Sequence, residues 1–241
     1  WALRSKRVSL MLEPVASFTV GLVACAINHY SASGLNIWLI ILSSLIILVP
    51  GLSLTMGLAE LSSRNMVSGT VRVMDACMQL FKLYFGAFLG VSLGYQLFGQ
   101  QGLAMAVTLS LWVNWLGVFM LSVGLIAIFR TPMKHAPWAI TSTFIAYAAS
   151  TWSSGYLENG LGAFVGAFAL GVFANMFSRI ANAPSTIVAM PGLLVLVPGS
   201  KTYIGLNSFI SGQDIIKTDH LAQETFLILM SLVAGLIFAN V

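Results

Sequence analysis

The sequence predicts an all-α polytopic membrane protein, and three features lead to that prediction. Hydrophobic residues make up 58% of the 241 residues and charged residues only 7%, whereas a soluble domain carries roughly 25% charged residues. The apolar runs are continuous, as in 107–129, and approach the roughly 20 residues of a membrane-spanning helix. Strands of a membrane barrel would instead show about 10 residues of alternating polarity. These features exclude a soluble domain, a disordered chain and a barrel.

Eight apolar segments have the length that a helix needs to cross a bilayer. The first follows Arg4, Lys6 and Arg7 and lacks a convincing small-residue cleavage site, so we interpret it as a retained helix and not as a signal peptide. Trp38 and Trp138 stand at the starts of two segments, where interfacial aromatic residues are expected. The predicted spans are 9–28, 37–59, 76–98, 105–129, 138–156, 160–177, 185–206 and 221–241.

The distribution of lysine and arginine predicts which side each loop faces. If the first residues are cytoplasmic, eight basic residues fall in cytoplasmic loops and one, Lys217, falls outside, in agreement with the positive-inside rule. We therefore expect a multi-pass protein whose first residues are cytoplasmic. The eight inside residues are Arg4, Lys6, Arg7, Arg64, Arg72, Arg130, Lys134 and Arg179.

A short motif occurs twice, 148 residues apart. Segment 48–51 reads LVPG and is followed by Gly-Leu at 57–58, and segment 196–199 also reads LVPG and is followed by Gly-Leu at 205–206. The copies fall on spans two and seven, and their odd separation places them in opposite directions across the membrane. This pattern is typical of the inverted-topology repeats of secondary transporters.

The repeat predicts a domain organisation of five helices plus five. Residues 1–100 would hold the end of the first transmembrane repeat, with spans one to three. Residues 101–241 would hold the second repeat, with spans four to eight. We then expect two further helices before Trp1.

Spans two and seven should be broken at their Pro-Gly pairs, because proline removes a backbone donor and glycine adds backbone freedom. Span seven is predicted to break a second time at Pro191-Gly192. Backbone N–H groups at the start of a second half-helix suit a carboxylate, and unwound carbonyls suit an ammonium group, so a zwitterionic amino acid would find both. The candidate substrate-binding residues are Pro50, Gly51, Ser53, Thr55, Pro198, Gly199, Ser200, Lys201 and Thr202.

Two alternatives stay open for these breaks. The Pro-Gly pairs could kink the helices for packing alone. Lys201 could bind a substrate carboxylate, or its ammonium group could extend to the outer surface.

Span three carries polar residues on one helical face, since their spacing is i, i+4, i+7 and i+11. Polar residues in lipid are costly, so this face should point into the bundle or into a water-filled path. We predict a proton or substrate path in which Asp75 or Glu224, its counterpart in span eight, is the titrating group. The alternative is that both carboxylates lie at span ends and meet water. The face holds Asp75, Gln79, Lys82 and Gly86.

No motif indicates an enzyme, a cofactor or a metal site. Cys25 and Cys77 lie in apolar surroundings, the three histidines are scattered, and neither GxxxxGK[ST] nor HExxH occurs. The net charge of +4 is explained by cytoplasmic loops, so no nucleic-acid partner is expected. Glu13 is assigned to helix entry. The expected partners are the lipid bilayer, a small-molecule substrate, and either a second copy or a partner membrane subunit.

Segment 48–90 resembles the threonine/serine exporter family. In that family a helix with a Pro-Gly break is followed by a short polar loop, a small residue with glycine, and an arginine. Segment 191–206, PGLLVLVPGSKTYIGL, together with Pro184, is similar to a later part of the family. Glu60 departs from the family pattern, in which an aspartate is expected. The matching residues of the first segment are Pro50, Gly51, Thr55, Glu60, Ser68, Gly69 and Arg72.

The resemblance implies a ten-helix inner-membrane exporter of small hydrophilic metabolites that is driven by the proton gradient. We therefore predict a secondary active transporter of the bacterial inner membrane that exports threonine or serine. The two Pro-Gly breaks would form a midplane site, and one repeat would rock against the other. The alternatives are a small dicarboxylate exporter subunit, as the resemblance to split two-subunit relatives implies, a passive channel, or a non-transporting membrane scaffold.

Overall fold

The computed structural model describes residues 11–31, 36–99, 110–157, 160–211 and 221–239. Within these ranges the chain forms α-helices and a short 3-10 turn, without strands, so the predicted all-α class is confirmed. The helices are α1 Leu12–Ser31, α2 Ile37–Leu45, α3 Gly51–Ser62, α4 Met66–Phe98, α5 Leu111–Ile128, α6 Ala136–Ser154, α7 Gly162–Ala181, α8 Thr186–Leu196, α9 Gly199–Ser211 and α10 Leu221–Ala239.

Several helices have the length and composition of membrane spans. Two shorter apolar helices, Trp112–Ile128 and Gln223–Ala239, fall within predicted spans four and eight. These features confirm a polytopic helical membrane protein. Of the described residues, four stretches are long and apolar enough to cross a bilayer, namely Leu12–Ser31, Met66–Phe98, Gly162–Ala181 and Thr186–Gly205.

Helix α4 is longer than its apolar pattern predicts. The pattern places span three at 76–98, but the helix begins at Met66. Near this start Gly69 packs against α3, since a Cβ on Gly69 would lie 2.7 Å from Leu61 Cγ and 2.8 Å from the Gly57 carbonyl oxygen. Hydropathy marks where a segment enters lipid, whereas backbone hydrogen bonds and tertiary contacts decide where its helix begins. The polar first turns of α4 therefore stay helical.

The predicted second break in span seven, at Pro191-Gly192, is wrong. Helix α8 continues through Pro191 to Leu196. Proline removes the hydrogen bond to the Ile187 carbonyl, four residues earlier. The hydroxyl of Ser142 in α6 donates to the next carbonyl, that of Val188, at 2.8 Å and attaches this part of α8 to α6. Neighbouring helices make such a proline tolerable within a membrane, because they supply partners for freed backbone groups.

The helices divide into two compact units. The first contains α1, α2, α9 and α4 from Arg72 onward, and the second contains α3, the first turns of α4, α5 to α8 and α10. The chain passes between the units several times, among them after Pro50, after Val71 within α4, and after Pro198. Each unit therefore contains helices from both predicted repeats, and the repeat bounds 1–100 and 101–241 stay a prediction from the sequence.

In the first unit, α1 and α4 run parallel in one constant register, as spans one and three must in the predicted topology. A Cβ on Gly86 would collide with Ser17 Oγ, and one on Gly90 would collide with the Phe18 carbonyl oxygen. Small residues at intervals of four permit such close approach. We call this contact the α1–α4 seam. Its facing pairs, each 69 residues apart, are Ser17 and Gly86, Gly21 and Gly90, Cys25 and Gly94, and His29 and Phe98.

Helix α2 covers the middle of the seam. Its buried side chains Ile37, Ile41 and Leu45 form one core with Ala24 of α1 and Val91 of α4. The side chain of Asn36 accepts a hydrogen bond from the Leu39 N–H at 3.2 Å and so caps the start of α2. The cap and the core together fix the helix that leads to the first Pro-Gly pair.

In the second unit, α7 is the helix around which its neighbours pack. Gly162 and Gly166 face α6, where a Cβ on Gly166 would lie 2.9 Å from Ser150 Cβ. On its other side α7 meets α10, since a Cβ on Gly235 would lie 2.8 Å from Ala167 Cβ. Leu232 of α10 is fully buried in the same cluster. Small residues therefore bring α6, α7 and α10 into close contact.

Candidate functional site

The first Pro-Gly pair separates two helices. Helix α2 ends at Leu45, a turn follows, and α3 begins at Gly51. Both Pro50 and Gly51 are buried. Thr55, on the first turns of α3, is fully buried, and its hydroxyl donates to the Gly51 carbonyl oxygen at 3.2 Å. Ser53 is half-buried on the same segment. The predicted break in span two is therefore present at the predicted residue.

The second Pro-Gly pair has the same construction. Helix α8 ends at Leu196, Val197 is extended with ψ of 127°, and α9 begins at Gly199. Pro198 and Gly199 are buried. Three candidate residues follow on α9, and all three are half-buried, namely Ser200, Lys201 and Thr202.

Each break begins a helix whose first backbone N–H groups have no acceptor within the helix. The first four N–H groups of an α-helix have no intrahelical acceptor, and the helix dipole adds partial positive charge at that end. Helices α3 and α9 have 12 and 13 residues, long enough to have this dipole. Gly51 and Gly199, the first residues of these helices, are buried and add no side chain there, so no side chain at these two positions would separate a small anionic group, such as a carboxylate, from the backbone N–H groups.

The polar face of α4 contacts two different segments of the first unit. Gln79 Nε2 donates to the Leu48 carbonyl oxygen at 3.0 Å, two residues before Pro50. Lys82 Nζ lies 4.0 Å from Glu13 Oε2 of α1. Asp75 is exposed. The structure thus brings Gln79 beside the first break and Lys82 beside an acidic residue, while Asp75 lies apart from both contacts.

Glu224 lies in the first turn of α10 and is half-buried beside the buried Thr225. Each of the candidate residues Glu224, Lys201 and Thr202 has an interaction partner. Within the described ranges no three His, Cys, Asp or Glu side chains lie together as a metal-binding group.

Sequence reasoning missed two residues near these features. Glu13 was assigned to helix entry, yet it faces Lys82. A detectable signal was the shared four-residue spacing of Glu13, Ser17 and Gly21 with Lys82, Gly86 and Gly90. Tyr203, one turn after Gly199, is 1% exposed, and its hydroxyl has no hydrogen-bond partner in the described part of the chain. A tyrosine in an apolar span carries no sequence signal for such an orphaned hydroxyl.

Comparison with protein-family models gives matches along nearly the whole chain. A model described as a threonine/serine exporter matches residues 1–94, and a second one, described as "Threonine/Serine exporter", matches residues 114–241. The second match alone covers more than half of the chain.

Curated relatives are fungal membrane proteins named "Pheromone-regulated membrane protein 10". The protein from Saccharomyces cerevisiae S288c is 26% identical over 230 residues, which cover 92% of this chain and 58% of that protein. The protein from Zygosaccharomyces rouxii is 27% identical over 227 residues, covering 90% of this chain and 23% of the relative. The protein from Eremothecium gossypii is 28% identical over 205 residues, covering 82% and 27%. This chain thus spans only part of these relatives, and no solved structure matches it significantly.

Proposed function

The chain belongs to the threonine/serine exporter family, and from that premise we propose that it is a secondary active transporter that exports threonine, serine or similarly small hydrophilic solutes. We further propose that export is coupled to the proton gradient and that the protein lies in a bacterial inner membrane with its first residues cytoplasmic. The orientation rests on the lysine and arginine distribution.

The observation that carries this proposal is the matched pair of helix breaks. Both Pro-Gly pairs are buried and both open a new helix, and broken helices are where secondary transporters bind small solutes. The N–H groups at Gly51 and Gly199 suit the carboxylate of an amino acid. Nearby carbonyl oxygens suit its ammonium group.

The buried hydroxyls near the breaks fit a substrate that itself carries a hydroxyl. The Thr55 proton is donated to the Gly51 carbonyl, so the Thr55 oxygen is left to accept a hydrogen bond. The Tyr203 hydroxyl near the second break has no hydrogen-bond partner among the described residues, so in that part of the chain it is left to donate to and accept from a solute. The Tyr203 hydroxyl favours threonine or serine over an apolar amino acid, which would leave that hydroxyl unpaired.

The test is export of labelled threonine by variants at the two breaks. We expect Pro50→Ala and Gly199→Leu to reduce export by about tenfold or more. A hydrogen bond to a charged group contributes about 1.5–3 kcal/mol, and 1.4 kcal/mol is a factor of about ten. Membrane insertion, measured by the amount of protein in washed membranes, should stay at the wild-type level.

Two matched controls separate the breaks from general effects of the substitutions. Pro191→Ala changes a proline inside a continuous helix, and Gly124→Leu adds a side chain where nothing lies within 4 Å. Both controls should export normally. Wild-type export by both break variants would refute the assignment of the breaks.

Purified protein in liposomes distinguishes the proposal from its rivals. A panel of amino acids and small dicarboxylates identifies the substrate class. Flux that persists unchanged when an uncoupler removes the pH gradient would indicate a passive channel. Absence of flux from the purified chain would indicate a scaffold or the need for a partner subunit.

A further inference from the structure

We propose that Glu13, with Lys82 as its counter-charge, is the carboxylate that takes up and releases the coupling proton, and that Gln79 links this pair to the first helix break. The inference rests on the proposed proton-coupled export. It differs from the sequence-based expectation, in which Asp75 or Glu224 titrates.

The α1–α4 seam places the two charges together. Glu13 and Lys82 are also 69 residues apart, so they form one further layer of the seam, next to the layer of Ser17 and Gly86. The glycine layers hold the two helices at close backbone contact. A pair of opposite charges at the end of such a rigid contact has little freedom to separate, so its geometry is set by the fold and not by chance side-chain motion.

The Glu13 carboxylate is only partly satisfied. Its Oε2 atom is buried and accepts no hydrogen bond from the described residues, and the 4.0 Å to Lys82 Nζ exceeds hydrogen-bond length. The Glu13 and Lys82 side chains are 21% and 34% exposed, so protons can reach the pair. An electrostatic contact without a close hydrogen bond can lose or gain a proton without rearranging a bonded network.

Gln79 extends this pair to the break. It lies three residues before Lys82 and thus on the same face of α4. Its side chain donates to the Leu48 carbonyl, in the turn that precedes Pro50. When Glu13 is protonated, Lys82 loses its partner charge. The resulting shift of the polar face of α4 reaches the turn before Pro50 through the hydrogen bond of Gln79.

Among the described residues, few other charged groups lie on α1 and on the helices packed against it. On α4 the nearest charged residues besides Lys82 are Asp75 and Arg72, both exposed. Helix α2 has no charged residue. On α1 itself His29 lies at the opposite end, against Phe98.

The experiment compares two fluxes through the full protein in liposomes. One flux is export of labelled threonine driven by an imposed pH gradient. The other is exchange of labelled for unlabelled threonine at equal pH, which needs no net proton movement. We expect Glu13→Gln to lose its response to the pH gradient while exchange stays within about twofold of wild type. Glu158→Gln, which removes a carboxylate from the segment between α6 and α7, is the matched control and should keep both fluxes.

Each outcome decides a different point. A Glu13→Gln variant that responds to the gradient like wild type overturns the inference, as does loss of the response in Asp75→Asn or Glu224→Gln alone. If Glu13→Gln does not reach the membrane, the E13Q/K82Q double variant replaces it, because it leaves neither charge unpaired. Wild-type protein with neither flux would defeat the proposed export itself and not the choice of carboxylate.

Discussion

A buried hydroxyl group lies near each of the two helix breaks. Thr55 and Tyr203 are both fully buried near a Pro-Gly pair. The Thr55 hydroxyl has an acceptor in Gly51, whereas the Tyr203 hydroxyl has none within the described residues. An unpaired buried polar group lowers stability by about 1–3 kcal/mol, so its presence calls for a function such as contact with a polar solute.

Tyr203→Phe separates function from stability at this position. Removing the orphaned hydroxyl should raise the melting temperature of the purified protein, since a desolvation penalty disappears. If the hydroxyl contacts the substrate, the KM for threonine should rise by about two- to tenfold, corresponding to about 0.5–1.5 kcal/mol for one hydrogen bond. The melting temperature is measured on protein in detergent, and the KM is measured on protein in liposomes. Tyr156→Phe, at a side chain that is 79% exposed, should change neither, and an unchanged KM in Tyr203→Phe would remove this residue from the substrate contacts.

Among the elements, the α1–α4 seam has the most regular packing in the first unit. Four consecutive layers pair a residue of α1 with one of α4 at a constant separation. Constant spacing of four residues on both helices keeps the same faces together over the length of α1. The seam therefore acts as a rigid support for the Glu13–Lys82 pair and for the Gln79 contact with the first break.

Gly90→Leu tests the closeness of this seam. A Cβ there would collide with the Phe18 carbonyl oxygen and lie 3.1 Å from the Leu22 nitrogen, so backbone would have to move. Overpacking of this kind costs about 1–3 kcal/mol, and we expect a lower melting temperature in detergent. Gly117→Leu, where nothing lies within 4 Å, is the control. Equal melting temperatures of the two variants would show that the seam is not tightly packed.

At the scale of the whole molecule, the chain passes between the two compact units at both Pro-Gly pairs and also within α4, after Val71. Each unit is built from helices that are distant in sequence. Two of these crossings coincide with the helix breaks at Pro50 and Pro198, whereas the one after Val71 lies inside a continuous helix. That the breaks serve transport and not only packing stays a prediction.

The predicted orientation is tested by labelling single cysteines from one side of the membrane. In a background without Cys25 and Cys77, we expect Met133→Cys to react only from the cytoplasmic side and Tyr156→Cys only from the opposite side. The side chains are 83% and 79% exposed, so access is not limited by burial. Labelling of both positions from the same side would contradict the span assignment between them.

Much of the architecture could be predicted from local properties. The helical class, the membrane spans and both breaks follow from hydropathy and from the chemistry of proline and glycine, which act on the residues beside them. The constellation of the candidate site was less predictable. Asp75 shares a helical face with Gln79 and Lys82, yet it is exposed whereas they are half-buried, because a shared face does not by itself decide which residues other segments cover.

The sequence by itself determined that this protein is a helical membrane protein broken at Pro50 and Pro198, because these features depend on neighbouring residues alone. Only the tertiary structure decided that α8 continues through Pro191 and that Glu13 faces Lys82. The first depends on contacts from neighbouring helices. The second depends on the register of two helices 69 residues apart, which is set by the fit of glycine surfaces and not by any local pattern.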